Sequence, residues 1–360
     1  MIKENSDILR RLLIQHKELG ISEQIDYEKF YLYSIITHST AIEGSTMTEV
    51  EAQLLFDEGI TSSKRTIIEQ NMNLDLKVAY EYGREWIKRH EDITVDWLIT
   101  LASKVMARTG AEYKSLGGDF SAAKGELRKL NVTAGAGGSS YMSYLKVPMK
   151  LEAFCQELNR RRKALDKTDI IAIYELSFWA HYELVTIHPW ADGNGRTSRL
   201  LMNLLQMEYD VLPTKVLKED KAEYIQSLID SRDEDDIEIF INCMTSLHCK
   251  HLNDDIERFI HSVAHEEIRK EDLLKEITDK MLLSGKTKDK LPITDAFIGK
   301  ITDIYIFISK HPHSSSEDIA TYTGKSRESA KKYLQALTSI GMIVAEGGNR
   351  NRTYCIKLDT

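Results

Sequence analysis

Twelve consecutive residues, His188-Pro189-Trp190-Ala191-Asp192-Gly193-Asn194-Gly195-Arg196-Thr197-Ser198-Arg199, bring together a base, an acid, an amide, two glycines and two arginines. Glycines let backbone N–H groups close on an anion, and the apolar Leu200, Leu201, Leu204 and Leu205 that follow predict a helix whose N-terminus faces it. Arg196 and Arg199, three apart on one face of that helix, can fork onto phosphate oxygens. His188 titrates near neutrality and can accept the proton of an attacking hydroxyl, a contribution of about 10²–10⁴ in rate. Asp192 is a hard oxygen ligand suited to Mg²⁺, which takes one or two carboxylates beside phosphates and waters. With a nucleoside triphosphate bound, Gly193, Asn194 and Gly195 would present donors to phosphate and the two arginines would neutralise the rest. The reaction would be displacement at phosphorus, where positioning and charge neutralisation dominate.

Two helices must hold this window. Asp169 to Ile187 reads as one, and the run that ends near Tyr209 as the other. A further helix is expected from Pro148 to about Lys163. Upstream, helical periodicity covers about 6–19 and 28–42, stopped by Glu43-Gly44, and helices continue from Glu49, capped by Thr48, to about Arg108. Glycines then interrupt the pattern around two short runs, Leu130-Asn131-Val132-Thr133 and Tyr144-Leu145-Lys146-Val147. With Ala134 to Ser140 between them, these predict a hairpin with a pliable tip. After a helical block to about Leu282, the polar stretch Ser284 to Lys290 reads as a linker. Beyond it, three helices and two short strands, Met342-Ile343-Val344 and Thr353-Tyr354-Cys355-Ile356, flank Gly347-Gly348-Asn349-Arg350 and predict a winged helix-turn-helix. The fold class expected is mainly α: N-terminal helices in 1–110, a helical core with a hairpin flap in 111–250, a connector and linker in 251–290, and a winged helix domain in 291–360.

Composition narrows the functions. The 360 residues carry 42% hydrophobic side chains and a net charge of -8, so wholesale polyanion binding is not expected. Cys155, Cys243, Cys249 and Cys355 lack paired spacing, and no stretch suits a signal peptide or membrane span. A reduced, cytoplasmic protein with no membrane partner is expected. No Gly-x-x-x-x-Gly-Lys-(Ser/Thr) loop occurs, and His181-Tyr182-Glu183 and His248-Cys249-Lys250-His251 lack the complement of a zinc site. From Leu291 to Thr360 nine basic residues face seven acidic ones. Lys325, Arg327, Lys331 and Lys332 fall on the expected recognition helix, with Arg350 and Arg352 on the wing, so DNA is a candidate partner there.

The twelve-residue window resembles the signature of the Fic family, His-Pro-Phe-x-(Asp/Glu)-Gly-Asn-Gly-Arg-x-x-Arg, departing only at Trp190, which keeps an aromatic anchor. Phe178, His181, Leu184, Val185 and Ile187 fit the family's preceding helix, and Gly125-Glu126-Leu127-Arg128 with Val132 resembles its lead into the flap. The resemblance covers about residues 28 to 245 and implies transfer of AMP from ATP to a hydroxyl of a target protein or of the chain itself. It makes His188 the base, Asp192 the holder of Mg²⁺, Gly193, Asn194, Gly195 and Arg196 the phosphate cradle, and Arg199 the γ-phosphate ligand. The hairpin would clamp the target as an added strand. Ser39-Thr40-Ala41-Ile42-Glu43-Gly44 resembles the family's inhibitory motif (Ser/Thr)-x-x-x-Glu-(Gly/Asn), which implies that Glu43 competes with ATP for Arg199. Phosphate transfer, AMP removal, and a DNA-binding regulator with a nucleotide-sensing core stay open as alternatives.

Overall fold

The computed structural model describes residues 2–61, 64–133, 140–284, 294–348 and 352–357. It divides into two compact units, Met1–Glu257 and Arg258–Thr360.

In the first unit the apolar periodicity near the N-terminus becomes α1 (Ile2–Glu18) and α2 (Tyr27–Ile42). Thr48 and Thr66 open α3 (Glu49–Glu58) and α4 (Ile67–Ile87) with capping boxes, in which Glu51 and Glu69 reach back to the cap N–H. α5 (Val95–Val105) leads to a two-residue antiparallel pairing of β1 (Glu112–Tyr113) with β2 (Phe120–Ser121). α6 (Val147–Ala164) carries Pro148 in its first turn, where a missing N–H costs nothing, and Asp169 caps α7 (Ile170–Ile187). α8 (Asn194–Glu208) and α9 (Lys221–Asp233) follow, and the unit boundary falls within α10 (Ile237–Ser284).

Burial shows why α8 lies at the centre of this unit. Leu200, Leu201, Leu204 and Leu205 are all buried, and so are Arg196, Arg199, Asn203 and Gln206, so the helix is enclosed around most of its girth. They join Leu76 and Tyr80 of α4, Leu98 and Leu101 of α5, Leu184 of α7 and Ile35 and Ile36 of α2 in one cluster. Gly83 lets α4 cross α8 closely, since a Cβ there would lie 2.4 Å from Leu204 Cδ1. The N-terminal helices and the core, expected as separate segments, therefore share one hydrophobic interior.

The flap departs from its expected strands. Thr133 bridges Ser140, and the Tyr141 N–H donates to Val132 O at 3.1 Å, but Tyr144–Lys146 is a 3₁₀ turn that feeds α6. Asn131 Oδ1 accepts from the Tyr144 N–H at 3.0 Å, which takes the donor a ladder would use, and Pro148 commits the following residues to a helix start. The tip from Ala134 to Ser139 lies outside the described residues.

The second unit contains α11 (Asp295–Lys310), β3 (Ser314–Ser315), α12 (Ser316–Thr323), α13 (Arg327–Ser339), β4 (Ile343–Glu346) and β5 (Thr353–Ile356). The strands form an antiparallel sheet in the order β3-β5-β4, with Ile343 opposite Ile356. Ile301, Ile304, Ile319, Leu334 and Leu337 fill its core together with Ile277 and Met281 from the end of α10. The expected linker is described only at Ser284, the last residue of α10, and Asn349 and Arg350 of the expected wing tip lie outside the described residues.

Candidate functional site

α7 ends where His188 takes a left-handed conformation (φ 51°, ψ 63°) and Pro189 forbids another helical hydrogen bond. The imidazole Nδ1 lies 3.3 Å from Val185 O. A carbonyl only accepts, so Nδ1 carries the proton and Nε2 keeps its lone pair. Tyr141 of the flap stacks on the ring, with centroids 3.8 Å apart at 18°, and the Arg232 guanidinium lies 5.5 Å from the Tyr141 centroid. Burial, helped by the charges of Arg128 and Arg232 and opposed by the Val185 carbonyl and Asp192, pushes the His188 pKa down to about 4.

Arg128 ties this loop to the flap. It is 1% exposed, and its guanidinium donates to His188 O at 2.8 Å, Leu130 O at 2.9 Å and Met142 O at 2.6 Å. Its own N–H donates to Pro189 O at 3.0 Å, so one side chain holds the histidine turn and both edges of the hairpin. The sequence marks Arg128 only as part of the lead into the flap. Tyr141 carries no sequence signal at all, being one aromatic beside a glycine-rich tip. Trp190 is an anchor as expected: buried, it donates Nε1–H to Gly125 O at 2.9 Å.

The turn into α8 supplies the anion-binding end. Gly193 sits at φ 81°, and a Cβ there would come within 2.7 Å of Met106 Sδ, so both conformation and space require glycine. Asn194 differs from its expected use. Its side chain accepts from Trp190 N at 3.1 Å and donates to Trp190 O at 2.8 Å, closing the loop and leaving only its backbone N–H for a phosphate. Arg196, 3% exposed, gives one N–H to Met106 Sδ at 3.0 Å, while Nε and Nη1 are buried with no hydrogen-bond partner. Unsatisfied buried donors on a cation are costly, and these nitrogens are available to an anion. Asp192, its side chain 55% exposed, lies 3.5 Å from Arg196 and accepts from the Gly193 N–H at 2.5 Å.

Arg199, one turn further on and 3% exposed, meets the end of α2. Its Nε–H donates to Ser39 Oγ at 2.9 Å, and Nη2 donates to Ser39 O at 3.0 Å and to Glu43 Oε1 at 2.6 Å. Nη1 donates to Tyr224 Oη at 3.4 Å. Burial pushes the Glu43 carboxyl up, but the Arg199 guanidinium, with Arg196 and Lys221 farther off, outweighs it and holds Glu43 below the usual carboxylate value. Gly195 makes room for the pair: a Cβ would lie 2.7 Å from Glu43 Oε1 and 3.0 Å from Arg199 Nη1. Asn73 of α4 fixes the end of α2 from behind. Fully buried, it accepts from Thr40 Oγ1 at 3.0 Å and donates to Glu69 O at 2.9 Å and Ser45 Oγ at 3.4 Å. The fold thus brings His188, Asp192, Gly193, Gly195, Arg196, Arg199, Ser39 and Glu43 to one end of α8.

The chain is similar to several known proteins. Residues 92–206 match the Fic/DOC family. Protein adenylyltransferase fic-1 of Caenorhabditis elegans is 27% identical over 265 residues, 72% of this chain and 45% of that protein. Protein adenylyltransferase Fic of Nematostella vectensis is 31% identical over 196 residues, 54% of this chain and 42% of that protein. The chain therefore spans less than half the length of these relatives. A Fic domain containing signalling protein from Bacteroides thetaiotaomicron superimposes with a TM-score of 0.57 at 21% identity, covering 71% of this chain and 97% of that one. A Fic family protein from Desulfovibrio desulfuricans G20 gives 0.57 at 17% identity, covering 98% and 97%. At these identities the two structures share the fold. Through residues 92–206 the chain carries a Fic domain of the Fic/DOC family.

Proposed function

We propose that this chain is a protein adenylyltransferase restrained in cis by Glu43. The observation that carries the reading is the buried Arg196 guanidinium with two unpartnered nitrogens, Nε and Nη1, at the N-terminus of α8, beside a histidine with a free Nε2. A triphosphate would lie over the Asn194 and Gly195 N–H groups, with Arg196 and Arg199 on its oxygens, and would gain the Gly193 N–H where the Asp192 carboxylate turns away from it. A target hydroxyl would give its proton to His188 Nε2 as its oxygen bonds the α-phosphorus, and the bond to the pyrophosphate oxygen would break. The lowered His188 pKa supports the base role, since the neutral form is present throughout the physiological range.

Asp192 fits a Mg²⁺ ion of the kind that takes one carboxylate and completes its shell with phosphate oxygens and water, because its carboxylate is accessible and adjoins the anion end of α8. Such an ion would supply charge neutralisation and orientation of the phosphates. The hairpin, with its Thr133–Ser140 bridge, is a candidate edge for strand addition by the target. Four free cysteines support a reducing, cytoplasmic setting.

The test uses ATP labelled in turn on the α- and γ-phosphates, with Glu43→Gly protein and a lysate. Label arriving on protein from the α-phosphate supports AMP transfer, and label arriving from the γ-phosphate alone overturns it. For the second unit, we read α12, the turn at Gly324 (φ 61°) and α13 as a helix-turn-helix with β4–β5 as a wing, exposing Lys325, Lys331 and Lys332. Salt-sensitive binding of a DNA duplex would support that reading, and its absence would remove it.

A further inference from the structure

We infer that Tyr224, oriented by His181, is a positioning residue that keeps the Arg199 guanidinium turned toward the terminal phosphate of the nucleotide whether or not Glu43 is engaged. The inference rests on the reading of Arg199 as a phosphate ligand.

A guanidinium has five N–H groups in a fixed fork. In Arg199 the Nε–H and one Nη2–H are committed to Ser39, and a second Nη2–H to Glu43. When Glu43 withdraws, one N–H on Nη2 and one on Nη1 face the space beside Gly195, the edge two phosphate oxygens can take together. Ser39 fixes one flank of that edge. Held there alone, the guanidinium could pivot about its Nε side. Tyr224, from α9, fixes the other flank through Nη1 and also carries its ring beneath the cation, 5.9 Å from Cζ.

The protons determine which way the Tyr224 hydroxyl points. Arginine can only donate, so Tyr224 Oη accepts from it and must give its own proton elsewhere. His181 Nε2 lies 2.9 Å away and can accept it in the neutral tautomer that carries its proton on Nδ1, a buried nitrogen with no hydrogen-bond partner in the structure. His181 is fully buried and stacked on Phe240, with centroids 5.1 Å apart, and burial followed by the charge of Arg199 pushes its pKa down to about 3. The Tyr224 lone pair is therefore kept on Arg199. Tyr224 lies outside the segment that matches the family, so the motif spacing does not reveal it.

The experiment measures ATP and ADP binding by calorimetry, in Mg²⁺, on the full chain in the Glu43→Gly background. Tyr224→Phe keeps the ring and removes only the hydroxyl. It is expected to weaken ATP about 5–10-fold, less than the full contribution of a hydrogen bond to a charged group because the 3.4 Å contact is long and acts on the phosphate only through Arg199, while ADP stays within about twofold. His181→Phe, which preserves a ring against Phe240 and frees the Tyr224 hydroxyl to turn, is expected to give the same ATP-selective loss. Equal losses for ATP and ADP, or no loss, would overturn the inference. Arg199→Ala separates the two levels. If it abolishes the preference for ATP over ADP while Tyr224→Phe and His181→Phe do not disturb it, the positioning role fails and the phosphate role stands. If it leaves the preference intact, both fall.

Discussion

Replacing Glu43 by glycine removes one charge-assisted hydrogen bond, 2.6 Å long, from a guanidinium that is almost wholly buried. A bond of this kind contributes about 1.5–3 kcal/mol when shielded. The Glu43 side chain is 34% exposed, so water and salt reduce its share to about 1–2 kcal/mol. On the proposed reading, ATP has to displace that contact before Arg199 meets its terminal phosphate. Its productive binding in the native chain would then be weakened about 5–30-fold, and Glu43→Gly is expected to raise AMP incorporation by that factor at low ATP. The assay follows α-labelled ATP into protein across a range of ATP concentrations for both chains. A gap that closes at high ATP denotes simple competition for Arg199, whereas one that persists denotes ATP bound in a misdirected pose. Equal rates at every ATP concentration would refute the brake, since a freed Arg199 would then change nothing. The depressed Glu43 pKa gives the sign of the pH effect: the contact is present above the usual carboxylate value and is lost only as pH falls through the lower folded value. The ratio of the two chains should accordingly stay constant from about pH 6 to pH 9.

His188 predicts a second profile. With its folded pKa pushed down to about 4, kcat/KM of Glu43→Gly should stay level through the ordinary histidine range and fall only as pH approaches that value. A fall centred near 6.5 would contradict the burial of the ring. The same lowered pKa destabilises the fold in acid, because the unfolded chain takes up that proton first as pH drops below its ordinary value. Arg128→Ala leaves three part-buried carbonyls, on His188, Leu130 and Met142, without their donor. We expect a loss of about 3–5 kcal/mol in chemical denaturation, and a loss under about 1 kcal/mol would show that water replaces the guanidinium. Asn73→Ala unties the end of α2 from α4 without touching the site, so AMP incorporation should rise, by less than in Glu43→Gly. In the Glu43→Gly background it should add nothing, and an additive rise would mean that Asn73 acts elsewhere.

Much of the site is local in sequence and was legible for that reason. His188, Asp192, Gly193, Gly195, Arg196 and Arg199 occupy a turn between two helices, and the apolar periods of α7 and α8 fix that turn at the C-terminus of one and the N-terminus of the other. The resemblance also joined Glu43 to Arg199 across 156 residues, a link that periodicity alone could not make. What only the tertiary structure decided were contacts between elements far apart in the chain, where residue type does not announce the partner. Arg128 is one arginine among many until its donors meet three carbonyls, Asn194 looks like a phosphate ligand until its amide is spent on Trp190, and Tyr224 shows no role until α9 packs beside α8. The flap illustrates the same limit, since strand-like residues at 144–147 yielded to a proline-led helix start. Local spacing determined which groups could do the chemistry, because neighbours on one turn move together. Packing determined which way those groups point, because the direction of a guanidinium or a hydroxyl depends on acceptors and donors supplied by other helices.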